Sequence, residues 1–163
     1  FNRLSREQAL KALFDCCGAT TWAKQMAAQM PFASAAQLLE AADKVWAGLQ
    51  REDWLEAFRH HPAIGGRQAK AKQSANARRW SAKEQLATQK ASPEILAALD
   101  AANRKYAQKF GHVFLICATG KSSEEILKNL HERMSNDPEA ELRIAAEEQR
   151  KITRLRLEKL LAP

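Results

Sequence analysis

No apolar run in this chain approaches the roughly 20 residues that span a bilayer, so a membrane protein is not expected. Cysteine is scarce as well: Cys16 and Cys17 are adjacent, Cys117 is distant, and neither a disulfide framework nor the paired spacing of a zinc site results. Such cysteines read as reduced, buried thiols of a cytoplasmic protein. The opening Phe1-Asn2-Arg3-Leu4-Ser5 lacks signal-peptide character. Phosphate loop, dinucleotide fingerprint and nucleophile elbow are all missing. His112 and His131 have no metal-ligand spacing to each other or to Glu132, so no metal site is expected. Internal repeats, hairpin signatures and low-complexity tracts are absent too.

What remains is a soluble chain of 163 residues, the size of one domain over positions 1–163 and long enough to bury a core without staples. Its net charge of +7 favours an anionic partner, whether nucleic acid, acidic lipid or a carboxylate substrate, without choosing among them.

Apolar residues at helical spacing, with start and stop signals, predict an all-α, single-domain multi-helix bundle. Ser5 with Gln8 forms a capping box for a helix that Gly18 ends, and a second helix from Thr21 stops before Pro31. Ser34 with Gln37 opens a third whose Leu38, Leu39, Ala42, Val45, Trp46 and Leu49 make one face. Trp54, Leu55 and Phe58 mark a short fourth, halted by His61-Pro62. From Pro62 to Trp80 no apolar face persists, which predicts a loop or lid. Ser81 then starts a helix; Ser92-Pro93 opens a long one closed by Gly111; Ser122 with Glu125 caps another; and Asn136-Asp137-Pro138 precedes the last. The run Phe114-Leu115-Ile116-Cys117-Ala118, after Val113, is short and partly β-branched or aromatic, and predicts an extended buried segment.

Three places carry chemical interest. His61 offers a neutral-range acid/base group, although a histidine before proline can simply end a helix and His60 could equally point inward. Ser81, Glu84 and Gln85 place hydroxyl, carboxylate and amide together, but Ser81 with Glu84 three residues on is also capping-box spacing. In the last helix, Leu142, Ala145, Gln149, Ile152 and Leu160 form an apolar stripe with Arg156 in its middle, a position that demands snorkelling, an ion pair or a bound anion. Arg67, Lys70, Lys72, Arg78, Arg79, Lys83 and Lys90 form a basic stretch, the best argument for a rival nucleic-acid-binding or helical interaction domain, yet only Trp80 could stack on a base.

Together these residues resemble a known family. His61-Pro-x-Ile-Gly65, Trp80-Ser81-x-x-Glu84-Gln85, Asn103-x-x-Tyr106-x-x-Lys109-Phe110-Gly111, Phe114-Leu-Ile-Cys-Ala118-x-Gly120, Arg133-Met-x-Asn136-Asp137 and Ile152-x-x-Leu155-Arg156-Leu157 are similar to blocks of the 2-oxo-4-hydroxy-4-carboxy-5-ureidoimidazoline (OHCU) decarboxylases, in order over nearly the whole chain. The resemblance implies an all-helical carboxy-lyase of urate breakdown, commonly a homodimer. It would need neither metal nor organic cofactor and would convert the anion OHCU to (S)-allantoin, with no nucleic-acid or membrane partner. It implies catalytic roles for His61 and Glu84, and substrate contacts from Pro62, Ser81, Gln85, Arg156 and the backbone of Phe114, Leu115, Ile116, Cys117 and Ala118. Two departures stand out: Ala63 replaces an acidic residue that often follows the His-Pro pair, and the His61–Ser81 interval varies among members.

Overall fold

The computed structural model describes residues 1–65, 74–84 and 86–162. All regular structure among them is helical: α1 (Arg6–Cys17), α2 (Thr20–Ala28), α3 (Ala35–Ala47), α4 (Arg51–Arg59), α5 (Ala75–Glu84), α6 (Leu86–Gln89), α7 (Pro93–Phe110), α8 (Ser123–Arg133) and α9 (Pro138–Leu161). None of these helices is long and apolar enough to cross a membrane.

Most boundaries follow the local signals. Ser5 and Gln8 close a reciprocal capping box on α1, Ser122 and Glu125 do so on α8, and Ser34, Ser92 and Asp137 cap α3, α7 and α9 through their side-chain oxygens. Gly18 ends α1 at φ 84°, and a Cβ there would lie 2.9 Å from the Cβ of His60, so both backbone angle and packing demand glycine. One start is tertiary. Ala19, at the head of α2, has no capping side chain, and the Glu56 carboxylate of α4 accepts hydrogen bonds from Thr20 N (3.0 Å) and Oγ1 (2.6 Å) instead.

One boundary differs from the sequence expectation. The helix expected to start at Ser81 begins at Ala75, where Ser74 Oγ accepts from Ala77 N at 3.1 Å. Ser81 therefore sits within α5, and Ser81–Glu84 is not a capping box. Lacking an apolar stripe, residues 75–80 gave no periodic signal; Ala77 alone of them is buried.

Two apolar clusters build the interior. The larger joins α1 to α4 with α9 around Trp22, Trp46, Phe58 and Leu142; the smaller joins α7 and α8 around Leu99, Tyr106, Ile126 and Leu130. The stretch from Val113 to Ala118 runs between them as neither helix nor paired strand. Its side chains alternate: Val113, Leu115 and Cys117 pack on the larger cluster, and Phe114, Ile116 and Ala118 on the smaller. That two-residue period is the signature of extended backbone.

An unpaired extended segment must be held by other means. Arg133 Nη1 donates to Leu115 O, and the Glu148 carboxylate of α9 accepts from Cys117 N at 2.7 Å. Arg133 is itself fixed by the fully buried Glu141, which also accepts from Tyr106 Oη and, at 2.9 Å, from Asn136 Nδ2. The tyrosine hydroxyl, arginine and glutamate of three helices thus set where the segment lies.

Candidate active site

α4, α5, α9 and the extended segment converge on one cavity. The turn after α4 brings His61 and Pro62 to its wall, α5 brings Ser81 and Glu84, and Phe114 to Thr119 complete it with Ile152 and Leu155 of α9. Arg156 stands behind Ser81 and Glu84. Its Nε and Nη2 donate to the two Glu84 carboxylate oxygens at 3.0 and 2.9 Å, and Nη2 also reaches Ser81 Oγ at 3.2 Å. The guanidinium that looked misplaced on an apolar stripe is 2% exposed and answered by a two-point ion pair. Lys159 Nζ lies 3.8 Å from the same carboxylate.

His61 and His60, equivalent by sequence, part company here. The His60 ring packs edge-on against Phe14, 5.0 Å between centroids, away from the cavity. His61 Nε2 is buried without a hydrogen-bond partner. Burial and then the Arg156 charge depress the His61 pKa to about 3, with the Gln149 side chain opposing. The ring is therefore neutral at physiological pH rather than poised near 6.5, because burial first, and then the Arg156 cation, disfavours the imidazolium.

Of the residues singled out by sequence, His61, Pro62, Ser81, Glu84 and the stretch Phe114, Leu115, Ile116, Cys117 and Ala118 all line this cavity, with Arg156 bonded to two of them. Gln85 and the loop positions 66–73, including Arg67, Lys70 and Lys72, lie outside the described residues. The segment's backbone is less available than expected. Leu115 O and Cys117 N, on the same edge of an extended chain, are already bonded, and Ala118 O accepts from Lys121 N at 3.0 Å, which leaves Phe114, Ile116 and the Ala118 N–H to present the other edge.

Sequence reasoning passed over Glu148, Gln149, Arg133 and Glu141. Gln149 was visible as the one amide on the α9 stripe, and Arg133 lay in a recognised block, but Glu148 and Glu141 carried no periodic or spacing signal. The basic stretch fares poorly as a stacking surface: Trp80 is half-buried against the larger core, with the Arg156 guanidinium 6.0 Å from its ring. A larger groove of about 480 Å³ shares only His61 with the cavity and contains none of Ser81, Glu84 or Arg156, so the chemistry points to the smaller space.

Known proteins offer close parallels. A family model for OHCU decarboxylase matches residues 2–158. The chain is 41% identical over 147 residues to the uric acid degradation bifunctional protein TTL of Arabidopsis thaliana, which covers 90% of this chain and 45% of that protein. It is 25% identical over 163 residues to the 2-oxo-4-hydroxy-4-carboxy-5-ureidoimidazoline decarboxylase of Halalkalicoccus jeotgali, covering 99% of this chain and 90% of that one. A crystal structure of OHCU decarboxylase in the presence of (S)-allantoin superposes with a TM-score of 0.81 at 36% identity, over 94% of this chain and 99% of the other. A crystal structure of (S)-allantoin synthase shares the fold, with a TM-score of 0.69 at 18% identity over 97% of this chain and 51% of the other. By sequence and by fold, the chain belongs to the OHCU decarboxylase family.

Proposed function

We propose that this protein decarboxylates OHCU to (S)-allantoin in urate breakdown. The observation that carries this reading is the convergence of His61, Ser81 and Glu84 from distant stretches on one cavity, with Arg156 bound to the latter two. In that substrate the carboxylated carbon also bears a hydroxyl and neighbours a ring C=N bond. When the bond to the carboxylate breaks, its electron pair moves into the ring toward that nitrogen and carbon dioxide leaves. The hydroxyl then gives up its proton as it becomes a carbonyl, one proton arrives at the neighbouring carbon, and a further proton from water neutralises the ring nitrogen that received the electron pair. The substrate serves as its own electron sink, so the protein's task is orientation, charge stabilisation and delivery of a proton to one face.

The neutral His61 suits the accepting half of this exchange: it takes the hydroxyl proton and returns it. Ser81, Gln85 and the open edge of Phe114 to Ala118 supply matched contacts to the ring and ureido groups, and Pro62 shapes the wall. Arg156 and Glu84 enter as a pair. An incoming carboxylate competes with Glu84 for the guanidinium fork, which frees the Glu84 carboxylate to accept from substrate N–H groups.

The direct test follows optical rotation while urate is oxidised in the presence of the protein, since the substrate also decays unaided to racemic product. Faster appearance of one allantoin enantiomer supports the proposal, and a racemate at the unaided rate ends it. His61→Asn should lower turnover by roughly 10²-fold or more. Two further parts of the reading are a cytoplasmic setting, supported by three unpaired cysteines, and a homodimer, for which light scattering is the check.

A further inference from the structure

Two polar atoms buried beside the site lack partners: His61 Nε2 and Gln149 Oε1. Gln149 is 0% exposed on α9, and its Nε2 donates to Thr153 Oγ1 at 3.0 Å. One amide N–H is thus engaged, while the carbonyl oxygen is the amide atom left without a partner, and that oxygen requires a donor. A neutral imidazole carries one N–H and one lone pair, and the hydrogen bond made by one nitrogen decides which the other presents. We infer that Gln149 is a positioning residue, holding His61 as the tautomer protonated at Nε2 so that Nδ1 keeps the lone pair for the substrate.

Several observations agree with this assignment. The Gln149 side chain is near enough to His61 to favour its charged form, as a carbonyl acceptor beside Nε2 would. Thr153 Oγ1 accepts from the amide while its own hydroxyl bonds the Cys17 thiol in the larger core, an arrangement that leaves the amide oxygen as the end without a partner. The charged and titratable groups acting on His61 are Arg156 of α9 and the adjacent His60, both of which disfavour the imidazolium. Among the described residues, no carboxylate is bonded to the ring to select a tautomer by charge. A neutral amide can do so without making the histidine permanently cationic, and a base must remain neutral to accept a proton. The opposite amide orientation would donate to Nε2, consume the lone pair there and leave Nδ1 carrying the proton. The assignment rests on the decarboxylase reading for its purpose but not for its measurement.

Nitrogen-15 NMR of the ring nitrogens decides it in the wild-type protein, with the His61 signals identified by their loss in His61→Asn. A proton-bearing Nε2 and a lone-pair Nδ1 are expected; the reverse pattern overturns the inference whether or not the protein turns over OHCU. Gln149→Leu should give mixed tautomers and reduce kcat on the order of tenfold or more while KM changes little. Unchanged tautomer or unchanged kcat in a folded Gln149→Leu protein would also overturn it. Gln149→Glu keeps an acceptor, and should retain the Nε2 proton while moving the His61 titration midpoint upward by at least about one pH unit; no movement counts against the contact. Should Gln149→Leu not fold, the wild-type spectrum and Gln149→Glu still decide. If the protein proves inactive on OHCU but shows the Nε2–H tautomer, the proposed reaction fails and the positioning role stands.

Discussion

Arg133–Glu141 and Arg156–Glu84 are both buried arginine–glutamate pairs, both joined through two arginine nitrogens, and both contact the machinery around one cavity. Their surroundings differ. Glu141 accepts from Tyr106 and Asn136 as well as Arg133, and Arg133 spends its remaining reach on Leu115 O and lies over the Phe114 ring at 4.5 Å. Glu84 has Arg156 and a distant Lys159, and its carboxylate borders the cavity. A saturated pair has nothing left for a ligand. A pair with spare capacity at a cavity wall can exchange partners. The same two side-chain types therefore build scaffold in one place and a candidate binding element in the other, and satisfaction separates them better than burial does.

The contrast breaks hardest on the saturated side. Glu141→Leu leaves the Arg133 guanidinium, the Tyr106 hydroxyl and the Asn136 amide without their acceptor, and should cost roughly 3–5 kcal/mol of stability, read as a drop in urea midpoint. Removing Glu84 should act the other way round. Glu84→Gln keeps the shape and one acceptor oxygen, so it should cost much less stability than Glu141→Leu while turnover falls by about tenfold or more. Arg156→Lys keeps charge but loses the fork, and should weaken substrate binding; unchanged affinity would make Arg156 as structural as Arg133.

His61 sharpens the comparison through pH. Its pKa is near 6.5 in the unfolded chain and about 3 when folded. Above pH 6.5 both states leave it neutral and its contribution to stability is fully present. As pH falls below that value, the unfolded chain binds a proton that the native protein refuses, and stability declines by at most about 1.4 kcal/mol per pH unit until the folded value is reached. His112, also lowered by burial, adds in the same direction. Unfolding midpoints measured between pH 7.5 and 5, before most carboxylates titrate, should therefore fall less steeply in His61→Asn than in wild type. Parallel lines would mean that the native ring titrates like an exposed one.

Much of this fold was legible because its signals are local. Ser5, Ser34, Ser92, Ser122 and Asp137 each sit within three residues of the amides they cap, and Gly18 and Gly111 each close the helix they follow. The extended segment was legible from its β-branched and aromatic content, and its alternation between two cores explains why a single apolar run suffices. Satisfaction across the chain was hidden. Nothing near Leu115 announces Arg133, nothing near Cys117 announces Glu148, and Cys117 and Glu148, at a sequence separation of 31, share no periodicity that links them. For the site, His61, Ser81, Glu84 and Arg156 were all within reach, but not that Arg156 would engage Glu84, nor that burial together with the Arg156 charge would keep the histidine neutral. The start of α5 was missed because a serine–glutamate pair with capping spacing lay inside a helix that lacks an apolar stripe.

That last confusion has its own experiment, and the smallest expected effect. If Ser74 is the cap, Ser74→Ala removes the acceptor for Ala77 N and should cost about 1 kcal/mol. Ser81→Ala removes a hydroxyl bonded to Arg156 and should cost a similar amount, about 1 kcal/mol, so total stability does not distinguish them. Amide hydrogen exchange does. Loss of a cap frays the first turn, so Ser74→Ala should speed exchange at Arg78 and its neighbours while leaving the Arg156 region unchanged. Ser81→Ala should leave that first turn protected and loosen the contact between α5 and α9 instead. Faster exchange at the start of α5 in Ser81→Ala alone would return Ser81 to the role of a helix cap and remove one contact from the candidate site.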